Sequence, residues 1–509
     1  MRSIFSTVVP ASLVILALLV VALFWGADQR QPIGSSGPLR LYCAAGIQKP
    51  VKVIIDQYKD LYGIQIETEF QGSGALLSSI RANSGKGDLY LAADVSYMDD
   101  ARNYGLIDEV APIASQRPCI AVAAANTTIN SVHDLLNEGV KLSIADPKAA
   151  AISRVAKKML SDVSVDGKPI FDALIEKQTV SRSTVNEVAN DIKSNSVDAG
   201  IVWDATANQY DELKVVRVPE FEKSSKEISI SVLSKSSQPT RALHFIRFLT
   251  SRDKGLKVFE EKGYEIVAGD KWAETPELTL FSGGLMRTAI QDSIDDFEKR
   301  EGVRVNLIPN GCGILVAQIR GGQHPDAYFA CDTSFMTMVQ DVFPTYESLS
   351  GTEMVLITPA KRQVDVTKLT DLTRSDLKVG LCDPSHSALG ELTRILLTDL
   401  AIWEEVSQSV VNWQSTADHL VDAVVIGSLD AAVVYRANTT LQKDKLNVYD
   451  LDYEQAQAVQ PIGQANDSDY PLLTARLIRK LRSSHSRGRF EELGFQWLGE
   501  GTTEAVVRD

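Results

Sequence analysis

The turn Gly72-Ser73-Gly74 combines residue types that can hold a small anion without a positively charged side chain. It follows the alternating segment Ile64 to Thr68, which is typical of a strand, and precedes an apolar-periodic segment typical of a helix. Free backbone N–H groups at a helix start attract anions, glycine allows close approach, and a serine hydroxyl can donate. An ordinary glycine-rich connection between strand and helix is the alternative interpretation.

Three cysteines and a histidine in the C-terminal half are residue types that bind soft metal ions. Cys312 stands in the turn Gly311-Cys312-Gly313, and His386 follows shortly after Cys382. With Cys331, these side chains could bind Cu(I) or Zn(II). The alternative is that Cys331 and Cys382 replace Ala or Gly as small, half-buried residues. The 5 cysteines of the chain show no Cys-x-x-Cys spacing, so no disulfide framework is predicted.

The sequence favours a binding protein over an enzyme or a nucleic-acid partner. No Gly-x-Ser-x-Gly elbow, His-Glu-x-x-His helix or Walker loop is present, and Ser73 has no evident histidine partner. The formal net charge is -14 and no long Lys/Arg run occurs, so a phosphate backbone would be repelled.

The two halves of the chain repeat one order of elements. Each begins with a short apolar strand, continues with an amphipathic helix that stops at Gly63 or Gly302, and leads through an alternating strand to a glycine turn. Because strands alternate with helices, we expect an α/β fold with mostly parallel sheets. Matching segments are Leu39 to Tyr42 with Leu278 to Phe281, Asp88 to Asp94 with Asp326 to Asp332, Ala145 to Pro147 with Cys382 to Pro384, and Asp198 to Trp203 with Asp430 to Tyr435.

This order of blocks resembles the molybdate-binding family of periplasmic solute-binding proteins, of the second structural type. LRLYCAAG, FQGSGALLSSI, GDLYLAAD, IADP and DAGIVW carry the resemblance in the first copy, and the second copy is more divergent. The resemblance implies two tandem modules, each with two α/β lobes and a solute cleft between them. It places the first module at 39–272, with lobes 39–117 plus 215–272 and 118–214, and the second at 278–505, with lobes 278–350 plus 448–505 and 351–447.

The resemblance also implies the ligand-binding positions of the first module. Gly46 stands where the family has a serine, Ser73 keeps the serine of the glycine turn, and Trp203 stands where the family has a tyrosine. Ile152 and Val185 would contribute only backbone N–H groups.

The second module departs further from the family at the equivalent positions, which are Leu285, Cys312, Leu389, Ala417 and Tyr435. Leu285 has no donor and the Cys312 thiol is a weak one, so two hydrogen bonds to an anion are lost, each of about 1.5–3 kcal/mol. We therefore expect the second module to be the poorer oxyanion site.

The function implied by the resemblance is capture of a tetrahedral oxyanion, molybdate or tungstate, for delivery to an ABC-type permease. No cofactor is implied. The alternative is a membrane-tethered binding or sensor module with a diverged ligand, such as a soft metal ion in the second module.

The N-terminal segment predicts a position outside the cytoplasm. No charged residue occurs from Ser3 to Ala27, and Val8 to Trp25 is apolar enough to cross a bilayer. We expect an uncleaved single-pass anchor in the cell membrane, with a flexible linker up to Pro38, so residues 1–38 form a unit of their own. A cleaved secretory signal is the alternative, and both leave the bulk of the chain periplasmic or extracytoplasmic.

Overall fold

The computed structural model describes residues 37–222, 225–499 and 503–504. The expected membrane anchor lies outside the described residues. Among those that are described, every helix is too short or too polar to cross a bilayer.

The first module contains the strands β1 to β13 and ten helices among its described residues. Its strands are β1 Leu39–Ala44, β2 Ile66–Gln71, β3 Leu89–Ala92, β4 Ile107–Gln116, β5 Pro118–Ala123, β6 Leu142–Ala145, β7 Ser164–Val165, β8 Lys168–Pro169, β9 Val180–Arg182, β10 Ala199–Trp203, β11 Leu213–Val216, β12 Lys226–Leu233 and β13 Glu265–Ile266. Its α-helices are Gln48–Tyr62, Ser73–Ala82, Ser96–Asn103, Ala151–Met159, Ile170–Lys177, Val185–Lys193, Asp204–Ala207, Pro219–Glu222, Pro239–Leu249 and Gly255–Glu261.

Two sheets form the two lobes of the first module. One has the order β13-β4-β12-β3-β1-β2 and takes strands from both ends of the module, and the other has the order β11-β5-β10-β6-β9. Helices cover the sheets, and one continuous apolar core runs through both lobes. Strand β11 pairs with β5 in the inserted lobe. The sequence predicts that the chain returns to the first lobe at residue 215, which would divide this strand between two lobes. We therefore place the return to the first lobe after Val216.

The second module repeats this order of elements. Its strands are β14 Glu277–Gly283, β15 Arg304–Asn310, β16 Ala327–Phe329, β17 Tyr346–Pro359, β18 Val379–Cys382, β19 Val410–Gln414, β20 Ala431–Tyr435, β21 Leu446–Asp450, β22 Gln457–Gln464, β23 Gln496–Trp497 and β24 Thr503–Glu504. Its α-helices are Arg287–Glu301, Cys312–Arg320, Thr333–Thr337, Ala388–Asp399, Trp403–Ser409, Ala417–Val425, Arg436–Thr439, Pro471–Leu481 and Ser484–Glu492.

Strand β17 belongs to both lobes of the second module. Its residues up to Glu353 pair with β22, and its residues from Met354 pair with β20 and β21, which joins the two lobes into one 11-stranded sheet. The lobes therefore meet after Glu353 rather than at the predicted residue 351. The inserted lobe also extends to Asp450, because all of β21 pairs with β17.

In the first module, the equivalent strand that passes from one lobe to the other is interrupted before Pro118. Pro118 pairs with Trp203 as Met354 pairs with Tyr435, so the two residues occupy the same place in their modules. Proline has no N–H to donate, so β4 and β5 are separate strands on either side of Arg117.

The first helix of each module ends where the sequence predicts. Helices Gln48–Tyr62 and Arg287–Glu301 are both 15 residues long and end at Gly63 and Gly302, which have φ values of 66° and 68°. Only glycine adopts this left-handed conformation without steric cost, so each glycine stops its helix and turns the chain into the next strand.

Candidate functional site

A cavity lies between the two lobes of the first module, and all five implied ligand positions line it. It measures about 10 Å³, which is about the space that one water molecule needs. None of its lining residues carries a charge. They are Ala44, Ala45, Gly46, Gly72, Ser73, Ala93, Ala150, Ala151, Ile152, Val185 and Trp203.

Three helix N-termini converge on this cavity. Ser73 and Val185 are the first residues of their helices, and Ile152 is the second residue of Ala151–Met159. Backbone N–H groups in a first turn have no acceptor within their own helix and carry a partial positive charge. Helix N-termini arranged in this way favour an anion without a formal cation.

The helix Val185–Lys193 is fixed at its start by a capping box. The Thr184 hydroxyl accepts from the Glu187 N–H at 3.3 Å, and the Glu187 carboxylate accepts from the Thr184 N–H at 2.9 Å. These bonds satisfy the Glu187 and Thr184 N–H groups and leave the Val185 N–H for other acceptors.

Ser73 is held in place by one residue of β3 and by the residue that follows this strand. Its hydroxyl oxygen accepts from the Ala93 N–H at 3.1 Å, and the Tyr90 hydroxyl donates to the Ser73 carbonyl at 2.9 Å. The Ser73 side chain is buried, and its own hydroxyl proton remains available to a ligand.

The glycines beside Ser73 bring the two lobes together. A Cβ at Gly72 would lie 2.3 Å from the Ala149 carbonyl oxygen, and one at Gly74 would lie 2.3 Å from the Lys148 carbonyl oxygen. The Gly74 N–H donates to Ala149 at 2.9 Å. The glycines therefore permit the close backbone approach that the sequence suggests, and the group they approach is the opposite lobe.

Side chains add further contacts across the same cleft. The Asn186 amide donates to the Ala45 carbonyl at 2.6 Å. Arg154 donates to the Asp100 carboxylate at 2.7 Å and its guanidinium lies over the Tyr97 ring, 4.6 Å from the centroid. The lobes are thus closed upon each other.

The two departures from the family pattern lie in contact. A Cβ at Gly46 would lie 2.9 Å from Val185 Cγ1 and 3.5 Å from Trp203 Cδ1. The Val185 methyl group is therefore the nearest obstacle to a side chain at position 46, and the buried indole of Trp203 lies at van der Waals distance. The Tyr264 hydroxyl supports the Gly46 turn by donating to its carbonyl at 3.1 Å.

Sequence reasoning missed one polar group beside the cavity, the hydroxyl of Thr206. It is fully buried and has no hydrogen-bond partner, and it lies 3.3 Å from the position that a Cβ at Gly46 would take. Thr206 lies in the short helix after β10, and no residue spacing in the sequence identifies it as a site residue. The only indication in the sequence was its closeness to Trp203.

The second module has the same closed turn but different side chains around it. Cβ atoms at Gly311 and Gly313 would lie 2.3 Å from the His386 and 2.2 Å from the Ser385 carbonyl oxygens. Leu285 packs against the apolar cores of both lobes. The other implied positions, Cys312, Leu389, Ala417 and Tyr435, are all buried.

Tyr435 keeps a donor in this second cleft. Its hydroxyl is buried and has no hydrogen-bond partner. Burial raises the pKa of Tyr435 well above its usual value, and the nearby thiols of Cys331 and Cys312 act in the same direction. The hydroxyl therefore keeps its proton at neutral pH.

The soft-metal hypothesis for the second module is wrong as stated. Within the described ranges, no three His, Cys, Asp or Glu side chains come together as metal ligands. Cys312, Cys331 and Cys382 are buried, whereas the His386 side chain is 56% exposed and lies 3.7 Å from Asp383. The imidazole faces solvent because the His386 backbone, not its ring, packs against the glycine turn.

A family model described as bacterial extracellular solute-binding protein matches residues 39–265 and 278–496. The chain belongs to this family. Each match covers one module, so this solute-binding protein is a tandem duplication of the family's fold.

Curated relatives of this solute-binding protein support the resemblance found in the sequence. A putative binding protein of Haemophilus influenzae is 29% identical over 229 residues, which are 44% of this chain and 90% of that protein. Molybdate-binding protein ModA of Mycobacterium tuberculosis is 24% identical over 259 residues, 49% of this chain and 94% of that protein. The similarity to the molybdate-binding periplasmic family is confirmed.

Two solved structures similar to this solute-binding protein each cover less than half of it. The periplasmic molybdate-binding protein of Azotobacter vinelandii is 14% identical, with a TM-score of 0.39, and covers 45% of this chain and 100% of its own. The substrate-binding domain of a putative molybdenum ABC transporter from Clostridium difficile is 21% identical, with a TM-score of 0.35, and covers 44% and 100%.

Proposed function

We propose that this solute-binding protein captures a tetrahedral oxyanion, molybdate or tungstate, in the cleft of its first module and delivers it to an ABC-type permease. The observation that carries the proposal is the convergence of the Ser73 hydroxyl and three helix N-termini on one uncharged cavity. Neutral donors in a cleft that excludes water hold an anion by hydrogen bonds alone. The curated molybdate-binding relatives support the choice of ligand.

Ligand entry requires the lobes to separate. The closed cavity of about 10 Å³ has about the room that one water needs, whereas a tetraoxo anion is larger. The break between β4 and β5 at Arg117 gives the first module a connection that can bend without breaking a continuous strand. Closure would then bring the Gly72-Ser73-Gly74 turn back towards the opposite lobe with the anion held between them.

The second module has a different role in this proposal. Leu285 replaces Gly46 and contacts both lobes, and Cys312 replaces the Ser73 hydroxyl with a weaker donor. We propose that the second cleft does not bind molybdate, and that one oxyanion binds per chain.

A membrane-tethered sensor with a diverged ligand is the second candidate function. The contact between Gly46 and Trp203 favours it, because both residues depart from the family pattern at the cavity itself. A thermal-shift screen of oxyanions and small organic anions separates the two candidates, since a ligand that binds only the folded state raises the melting temperature.

The N-terminal segment completes the proposal. Residues 1–38 would anchor the protein, with Val8 to Trp25 crossing the membrane and both modules outside the cytoplasm beside the permease. Membrane fractionation of cells tests the anchor: the protein should remain in the membrane pellet after a high-salt wash, and release into the soluble fraction would favour a cleaved signal.

Calorimetry of the full chain in detergent tests the ligand. We expect one molybdate or tungstate per chain and no heat with phosphate. Ser73→Ala should weaken binding by about 10- to 100-fold, because a hydrogen bond to an anion contributes about 1.5–3 kcal/mol. Cys312→Ala is the matched control in the second module and should leave the affinity unchanged. Absence of binding, or full affinity in Ser73→Ala, would overturn the proposal.

A further inference from the structure

Two thiols touch each other beneath the glycine turn of the second cleft. Cys312 Sγ lies 2.8 Å from Cys331 Sγ, and the Cys331 N–H donates to Cys312 Sγ at 3.1 Å. The sulfur separation compares with about 2.05 Å in a disulfide bond. Both residues are buried, with Cys312 fully enclosed and Cys331 7% exposed. The pair can therefore bond with little displacement of the backbone.

The same place in the first module is built without thiols. There the Ser73 hydroxyl accepts from the Ala93 N–H at 3.1 Å, in the arrangement that Cys312 and Cys331 repeat. Ser73 and Ala93 are thus the equivalents of the two cysteines. The second module therefore carries a sulfur atom at both positions of this contact, and the first module carries one at neither.

A third position makes room for the sulfurs. Gly283 ends β14 where Ala44 ends β1 in the first module. A Cβ at Gly283 would lie 2.1 Å from Cys331 Sγ and 3.1 Å from Cys312 Sγ. An alanine at position 283 would collide with the two thiols. The three positions that differ between the modules together make room for two sulfur atoms in contact.

The surroundings of the two thiols shift their pKa values in opposite directions, which distinguishes the attacking thiol from its partner. Burial tends to raise the pKa of Cys312, but its contact with the Cys331 thiol, the hydrogen bond from the Cys331 N–H and the proximity of the Tyr328 hydroxyl outweigh it, so the pKa is lowered. The hydrogen bond to Cys312 and burial raise the pKa of Cys331. Cys312 also begins the helix Cys312–Arg320, whose N-terminus stabilises a thiolate.

We propose that Cys312 and Cys331 form a reversible disulfide at the floor of the second cleft by exchange with a small-molecule disulfide such as oxidised glutathione. The Cys312 thiolate attacks one sulfur of the reagent and releases a thiolate, which takes the proton of Cys331. The Cys331 thiolate then attacks Cys312 Sγ in the mixed disulfide and releases the second reagent thiolate, which takes a proton from water. Two protein thiols are oxidised, and the reagent is reduced to two thiols.

Access to the pair depends on the lobes of the second module. The Gly313 N–H donates to the His386 carbonyl at 3.1 Å, which closes the turn that carries Cys312 against the inserted lobe. The exchange takes place when these lobes part. Cys382, which is buried and whose pKa burial raises to about 12, takes no part in it.

Thiol counting on the full chain tests the proposal. The protein is equilibrated with oxidised and reduced glutathione, alkylated under denaturing conditions and analysed by peptide mass spectrometry. We expect three of the 5 cysteines to be alkylated and the peptides of Cys312 and Cys331 to be linked. Dithiothreitol should restore alkylation of all of them.

Variants identify the sulfurs and the role of the glycine. Cys331→Ala and Cys312→Ser, which introduce the first module's residues, should each abolish the link, whereas Cys382→Ala should retain it. Gly283→Ala should lower the linked fraction severalfold, and circular dichroism checks that each variant is folded. Complete alkylation at every glutathione ratio, or a link through Cys382, would overturn the proposal.

Discussion

Gly46 and Trp203 lie side by side at the cavity of the first module, where a side chain at position 46 has little room. An added Cβ would lie 2.9 Å from Val185 Cγ1, whereas Trp203 Cδ1, at 3.5 Å, is at ordinary van der Waals distance. The size of residue 46 is therefore coupled to Val185 more than to Trp203.

This coupling predicts a non-additive pair of substitutions. Gly46→Ser alone should destabilise the protein by about 1–3 kcal/mol, because added atoms in a packed site force neighbours to shift. Val185→Ala in the same chain should recover most of that loss, because it removes the methyl group nearest to the added Cβ. Urea unfolding and calorimetry of both single variants and the double variant measure the coupling. Additive effects would contradict a shared space.

Gly74 controls how closely the lobes approach. Gly74→Ala should open the cleft, since its Cβ would lie 2.3 Å from the Lys148 carbonyl oxygen, a backbone atom that cannot rotate away. We expect a larger radius of gyration by small-angle X-ray scattering and at least tenfold weaker oxyanion binding. Gly488→Ala is the matched control, because no atom lies within 4 Å of its added Cβ. Equal scattering from both variants would refute this role.

At the scale of elements, the two modules differ most where the chain first crosses between lobes. Pro118 separates β4 from β5, whereas Met354 lies within the continuous β17. A continuous strand resists bending because its ladder hydrogen bonds must break. The first module should therefore open more easily than the second.

Hydrogen exchange tests this difference within one sample. Amides of residues 350–356 should exchange about fivefold more slowly than those of 114–120, as expected from about 1 kcal/mol per ladder hydrogen bond. Met354→Pro should remove the difference by deleting one N–H of β17. Similar exchange in both segments of the unsubstituted protein would show that the strand break does not ease opening.

Local patterns in the sequence predicted the elements better than their boundaries between lobes. The helix stops at Gly63 and Gly302 were predictable because they depend on neighbouring residues alone. The returns to the first lobes were misplaced because β11 and β21 pair with strands far away in sequence. Their lobe membership is set by that pairing and leaves no local signal.

For the candidate site too, the sequence predicted local motifs but not contacts between distant segments. The turn around Ser73 was visible as a motif, and the resemblance supplied the positions of Ile152 and Val185, which the structure brings to one cavity. Thr206 and the contact of Gly46 with Trp203 were not visible, because they arise from packing between distant segments. The contact between Cys312 and Cys331 likewise required the fold.

At the scale of the whole molecule, a buried ionic network joins the two modules. Arg476 donates to both Glu301 carboxylate oxygens at 2.7 and 3.1 Å, and Arg247 of the first module lies 3.6 Å from the same carboxylate. All three side chains are nearly inaccessible to solvent. The contact between the modules therefore contains buried charges that pair across it.

Glu301→Gln should destabilise the protein strongly. It removes the carboxylate that pairs with two buried guanidinium groups, and breaking such a network costs about 3–5 kcal/mol. Asp296→Asn is the matched control, since its 3.2 Å ion pair with Lys480 is largely exposed and contributes less than about 1 kcal/mol. Urea unfolding compares the two variants, and equal losses would mean that the network does not hold the modules together.

Asp270 gives the module boundary a pH dependence. Its carboxylate accepts from the Leu472 and Leu473 N–H groups at 2.7 and 3.1 Å, so a first-module residue caps a second-module helix. Burial raises the pKa of Asp270 to about 6, although Arg476 and the two N–H groups oppose the shift. The folded protein thus holds the proton more tightly than the unfolded chain does.

The sign of the effect follows from this raised pKa. The stabilisation from the protonated carboxyl is complete below about pH 4, the pKa of an unfolded aspartate, and is lost as the pH rises towards 6. A shift of this size corresponds to at most about 3 kcal/mol. Asp270→Asn cannot titrate, so the free energy of unfolding of the native protein should fall relative to that of the variant between pH 4 and 6. Urea unfolding across this range measures the difference, and parallel curves would show that Asp270 titrates normally despite its burial between the modules.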